Sequence, residues 1–139
     1  MDDKIFVLLI QDDSVGAASI RLALAPHGEG SIRLQGVESL RTALARIGGG
    51  GVDLIILDLS LQQDGSVDGL SGYERIREAA PDVPVIVLYD EKHEGLALRA
   101  MRAGAVDYLA RERCVPGLDR TIRTAIERFR AAMCANRVR

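Results

Sequence analysis

The chain reads as an α/β protein built on a doubly wound parallel sheet, and three observations predict this. Five short apolar segments alternate with five amphipathic ones along its 139 residues. Two of the apolar segments, 5–10 and the end of 52–58, are continuous runs, as in strands buried on both faces. Acidic residues close both runs, and in open sheets of this class ligands bind beyond the carboxyl ends of the strands. Regular alternation also implies right-handed crossovers between parallel strands.

Taken in order, strand 5–10 is Ile-Phe-Val-Leu-Leu-Ile, followed by Gln11-Asp12-Asp13-Ser14. Helix 14–25 follows, with Asp13 or Ser14 suited to cap it. It stops at Ala25-Pro26, because a residue before proline avoids the helical region. Strand 31–36 alternates, Ser-Ile-Arg-Leu-Gln-Gly, and belongs near an edge. Helix 38–47 runs into Gly48-Gly49-Gly50-Gly51. No Lys-Ser/Thr follows that run, so it reads as a C-cap and connector, not a phosphate loop. Strand 52–57 ends on Asp58. After helix 70–79, Pro81 and Pro84 bracket the entry to strand 84–88. Helix 93–103 and strand 106–109 precede the last helix, 117–135. There Leu118, Ile122, Ile126, Phe129 and Met133 form one apolar stripe, while Arg120, Arg123, Arg128 and Arg130 fill the other faces. The stripe is read as facing the core, and its end as a dimer stem or a linker.

Composition bounds the function. A chain of this length suits one domain with a sizeable core. A net charge of −2 with 27% charged residues gives no polyanion-binding surface, so no nucleic-acid contact is expected. No apolar stretch approaches the roughly 18 residues that span a bilayer. The opening Met-Asp-Asp-Lys is no signal peptide, so the expectation is a cytoplasmic protein without membrane contact. Cys114 and Cys134 have no metal-binding spacing and read as reduced, structural thiols. His27 and His93 have no ligand partner at a useful spacing.

The chemistry sits in the acids. If strands 5–10 and 52–57 are parallel neighbours, Asp12, Asp13 and Asp58 converge at one edge of the sheet. Carboxylates gathered there repel unless a hard cation joins them, and Mg²⁺ is usually held by one or two carboxylates plus waters or phosphate oxygens. On the residues alone, Asp58 is a metal ligand, a nucleophile or a turn cap. Asp12, Asp13 and Ser14 divide between metal binding and helix capping.

Together these segments resemble the receiver domain of two-component response regulators, over nearly the whole chain. The resemblance rests on the acidic cluster after the first strand and on Leu-Asp-Leu at 57–59. It continues in Pro-Val-Ile-Val-Leu at 84–88 and Gly-Ala-Val-Asp-Tyr-Leu at 104–109. Residues 123–128, Arg-Thr-Ala-Ile-Glu-Arg, look like the end of receivers that precede output or kinase modules. The resemblance implies a flavodoxin-like (βα)5 three-layer sandwich with strand order 2-1-3-4-5. It implies a receiver domain over 1–135 and a C-terminal tail or truncated linker over 136–139.

It further implies a signalling module rather than an enzyme. A histidine kinase or phosphotransfer protein would donate a phosphoryl group to Asp58, the phosphoacceptor. Mg²⁺ would be bound by Asp58, the strand-one acids Asp12 and Asp13, and the backbone carbonyl of Ser60. Tyr108 falls at the family's aromatic switch position. An output domain or a second copy would meet the fourth helix, fifth strand and fifth helix, where Arg99, Arg102, Asp107, Arg113 and Asp119 mix their charges.

Four departures qualify this. Where the family has a hydroxyl residue and then a small one, this chain has Tyr89 and Asp90, and a tyrosine ring is too large for the usual inward swing. Asp90 either adds negative charge near the site or points to solvent. Arg111 replaces the phosphate-reaching lysine with a bulkier planar fork. The paired acids fall on Gln11-Asp12, which aligns 20–24 best and makes one of them an amide, or on Asp12-Asp13. The loop 59–68 is longer than usual. These departures raise an alternative, a pseudo-receiver that docks partners without phosphate. A small hydrolase or nucleotide binder lacks a Gly-rich loop, a Ser-His-Asp set or an obvious base.

Overall fold

The computed structural model describes residues 4–12, 18, 20, 21, 24, 32–59, 69–111 and 117–138. The apolar run Ile5–Ile10 forms β1, and Ile32–Val37 forms β2. Leu40–Gly48 is α1, Leu54–Asp58 is β3 and Gly69–Ala79 is α2. Val85–Tyr89 is β4, a 3₁₀ turn spans Glu91–His93, and Glu94–Arg102 is α3. Asp107–Ala110 is β5 and Leu118–Val138 is α4. Between β1 and β2, Ala18, Ile20, Arg21 and Leu24 are helical, as expected for helix 14–25; the rest of that helix lies outside the described residues.

The five strands form one parallel sheet in the order β2-β1-β3-β4-β5. The central strands β3 and β4 are buried at every position, which is why they carry unbroken apolar sequence. The alternating strand lies at the edge, where one face meets water. Successive residues of a strand point to opposite faces, and each face has its own core. On one face Leu8, Ile10, Ile55, Leu57, Val85 and Val87 pack with Leu40 and Ile47 of α1, Tyr73 and Ile76 of α2, and Ala97 and Ala100 of α3. On the other, Val7, Leu9, Ile56, Ile86 and Leu88 pack with Ile20, Leu24 and the Leu118, Ile122 and Ile126 stripe of α4. The result is a three-layer α/β/α sandwich.

Local devices fix the connections. Ser39 caps α1, its hydroxyl accepting the Thr42 N–H at 3.1 Å. The glycine run after α1 supplies Gly49 as C-cap, then Gly50 and Gly51 at φ 77° and 82°, a connector and nothing more. Arg46 straps this turn: it lies 4.6 Å over the Phe6 ring and donates to Gln35 Oε1 and to the Gly50 carbonyl. Asp53 Oδ2 accepts the Phe6 N–H at 2.8 Å, tying the entries of β1 and β3 together.

The turn from α3 to β5 hangs on Gly104 at φ 116°. A Cβ there would lie 3.1 Å from Arg77 Nη2 and 3.3 Å from the Tyr73 hydroxyl. That hydroxyl donates to the Ala103 carbonyl at 3.2 Å. Burial pushes the Tyr73 phenol above its ordinary value, and Arg77 draws it partly back. Gly104→Ala is therefore expected to lose about 1–3 kcal/mol in urea denaturation, since the backbone is in a region alanine avoids and two neighbours must move.

Two sequence expectations changed in detail. Cys134 is a free thiol on α4, as expected, but it is exposed rather than packed as a structural residue. Cys114, His27 and the loop 60–68 lie outside the described residues. The last helix buries Leu118, Ile122 and Ile126, but only half-buries Phe129 and Met133.

A buried carboxylate at the sheet edge

Asp58 is the last residue of β3 and sits between β1 and β4, so its side chain is 1% exposed. A carboxylate buried to that degree needs partners that stabilise its charge. Two converge on the same oxygen. Gln11 Nε2 donates to Asp58 Oδ2 at 3.0 Å. Arg111 Nε lies 3.5 Å from that oxygen, a charge contact rather than a short hydrogen bond.

Both partners arrive from strand ends. Gln11 follows β1, is 4% exposed, and is pinned by its backbone N–H to the Val37 carbonyl at 3.0 Å. Arg111 follows β5 and is 29% exposed, so its guanidinium reaches in from the surface. The Gln11 amide is oriented by chemistry: the opposite orientation would set two acceptors against each other. Its Oε1 is buried and has no hydrogen-bond partner among the described residues. A buried polar atom without a partner is uncommon and calls for an explanation.

Of the other expected metal ligands, Asp12 follows Gln11 and is exposed. Asp13 and Ser60 lie outside the described residues. Among the described residues no group of three or more His, Cys, Asp or Glu gathers as a preformed metal cage. Mg²⁺ does not require one. The carboxylates of Asp58 and Asp12 and the Gln11 amide oxygen, which has no partner among the described residues, are all oxygen donors, the kind that a hard cation keeping several waters takes.

The switch positions take a definite arrangement. Tyr89 ends β4 with its ring buried, and Tyr108 of β5 is half-buried. Their ring centroids are 5.6 Å apart at a tilt of 39°. The register pairs Tyr108 with Val87, two positions before Tyr89, so the rings are diagonal neighbours on one face. Asp90 takes the solvent-side reading: it caps the 3₁₀ turn, accepting the Lys92 N–H at 3.1 Å. Beside the tyrosines opens a cleft of about 310 Å³ lined by Tyr89, Glu91, Glu94, Tyr108, Leu109 and Ala110. On the neighbouring surface of α3, Leu98 is 43% exposed.

Of the expected site residues, Asp58 and Arg111 are brought together, and Tyr89 meets Tyr108. The sequence reading treated Gln11 only as a missing acid; its donor role at Asp58 was missed. The signal available was its place directly after a buried strand.

Comparison with known proteins agrees with this architecture. The sequence pattern of the response regulator receiver domain matches residues 7–122. The KDP operon transcriptional regulatory protein KdpE of Escherichia coli (strain K12) is 35% identical over 125 residues, covering 90% of this chain and 52% of KdpE. The regulatory protein LuxO of Vibrio cholerae is 32% identical over 120 residues, covering 86% of this chain and 25% of LuxO. The chain thus spans about half the length of one relative and a quarter of the other. Among solved structures, NtrX from Brucella abortus superposes with a TM-score of 0.82 at 23% identity, covering 98% of this chain and 30% of that one. A response regulator receiver domain protein from Clostridium thermocellum gives 0.77 at 23% identity, covering 92% and 98%. At such identity these structures speak for the fold alone.

Proposed function

Because the chain belongs to the response regulator receiver domain family of two-component signalling, we propose that Asp58 is its phosphoacceptor. The observation that carries this reading is the Asp58 carboxylate itself, buried at the carboxyl edge of the sheet with Arg111 beside one of its oxygens.

A carboxylate oxygen of Asp58 attacks the phosphorus of a phosphohistidine on a histidine kinase or phosphotransfer protein. An O–P bond forms, the P–N bond breaks, and the electron pair leaves on the imidazole nitrogen, which takes up a proton. Gln11 Nε2 holds the carboxylate in place, and the Arg111 guanidinium offers its N–H groups to the phosphoryl oxygens. Asp58, Asp12, Asp13 and the Ser60 carbonyl would hold Mg²⁺, which would supply positive charge for those oxygens. The domain occupies 1–135, with 136–139, which include the end of α4, as tail or linker, and works in the cytoplasm; among the described residues no helix is long and apolar enough to cross a membrane.

The partner surface is α3, β5 and α4, for an output domain or a second copy of the chain. The cleft beside Tyr89 and Tyr108 and the exposed Leu98 support that choice. The packing of Tyr89 on Tyr108 favours a second reading, a pseudo-receiver that docks partners without phosphate, because a buried ring has no room to swing.

Intact mass after incubation with Mg²⁺ and acetyl phosphate, and with a matched kinase, tests the first reading. One added phosphoryl group supports it. No adduct from either donor overturns it in favour of the pseudo-receiver.

A further inference from the structure

We propose that Gln11 is a positioning residue that releases the Asp58 site from a standing need for a divalent cation. In the resting state its amide N–H and the Arg111 guanidinium do the compensating that a bound cation would otherwise have to do. The inference deepens the reading of Asp58 as a phosphoacceptor served by Mg²⁺ and rests on it.

The argument begins with burial. Asp58 and Gln11 are 1% and 4% exposed and touch at 3.0 Å. An ionised acid at position 11 would set a second anion against Asp58 in a dry place. Two carboxylates so close do not both ionise unless a cation stands between them. Glutamine has the shape of glutamate and reverses the sign of the contact, from repulsion to donation. The backbone of Gln11 is fixed to Val37, and its side chain is enclosed, so few other arrangements are open to it. Arg111 adds a full positive charge 3.5 Å from the same oxygen. The buried carboxylate is thus accommodated by the chain's own groups.

A second observation points toward the cation. Gln11 Oε1 is buried without a partner among the described residues. It is a neutral, hard oxygen, of the kind that accepts from the water shell Mg²⁺ usually keeps. The cation is still accommodated, but the fold does not depend on it.

The test is thermal unfolding of the wild type and of Gln11→Glu, each in EDTA and in about 10 mM Mg²⁺. The wild type is expected to shift by less than about 2 °C, and the variant by at least about 5 °C more than the wild type. A variant that folds only with Mg²⁺ is the extreme form of the same result. Equal shifts in the two proteins overturn the proposal. If Gln11→Glu folds under neither condition, Arg111→Met decides. It removes the charged partner described at Asp58, so a Mg²⁺ shift larger than that of the wild type upholds the proposal and an equal shift rejects it. Intact mass with acetyl phosphate on the same wild-type sample keeps the two questions apart. An adduct missing here and with the matched kinase overturns the phosphoacceptor reading, while the Mg²⁺ shifts alone decide the role of Gln11.

Discussion

Asp58→Ala is expected to abolish phosphoryl incorporation and to lower stability by about 1–3 kcal/mol. The first effect follows from the loss of the attacking oxygen, for which no neighbour among the described residues substitutes. Gln11 is an amide, Arg111 is a cation, and Asp12 is exposed. The second follows from the partners left behind. Gln11 Nε2 loses its acceptor while still enclosed, beside an Oε1 that already has no partner among the described residues. Arg111 loses its carboxylate but is exposed enough to turn to water. Asp58→Asn separates the two effects. It keeps an acceptor oxygen for Gln11 and so loses less stability, yet it too takes no phosphoryl group. Intact mass and urea denaturation read the two outcomes. An adduct surviving in Asp58→Ala would move the acceptor to another residue.

The largest stability loss is expected at Ile56→Ala, about 3–5 kcal/mol by urea denaturation, with the slope unchanged. Ile56 lies in the middle of the central strand and is fully buried. The sheet register sets it beside Leu9 of β1 and Ile86 of β4, and all three belong to the core capped by α4. Rigid backbone on both sides prevents the hole from collapsing, and a cavity that cannot collapse keeps its full penalty. Against a typical total of about 5–15 kcal/mol, such a loss leaves little folded protein at physiological temperature. Leu98→Ala is the contrast: at an exposed position of α3 it changes stability by less than about 0.5 kcal/mol. Similar losses at the two positions would contradict the layered core.

The strands were legible to within two residues because burial on both faces demands an unbroken apolar run, and that demand is written locally. The edge position of β2 was legible for the same reason, from its alternation. The turn at Glu91–His93 was not anticipated: three residues of 3₁₀ helix leave no periodicity to detect, and Asp90 in front of it is a polar residue with several uses. The contact of Gln11 with Asp58 joins residues 47 apart in the chain. Sequence placed both at strand ends; which atom of one meets which atom of the other depends on register and rotamer. Tyr89 was recognised as too large for its place, but its packing on Tyr108 is a diagonal contact between strands, fixed only once β4 and β5 are aligned.

The 21 residues of α4 extend for about 31 Å, against about 20 Å for a six-residue strand. Full burial ends at Ile126; over the last 12 residues, about 18 Å, contact thins to half-buried Phe129 and Met133 and to Arg128 donating to the Val106 carbonyl, and the helix is stiffened by its own backbone hydrogen bonds. Leu118, Ile122 and Ile126 are its clamp. A tilt of roughly 10° at that clamp moves the far end by about 3 Å, more than the clamped residues themselves move. The length of the last helix thus acts as mechanical gain on small displacements at the sheet.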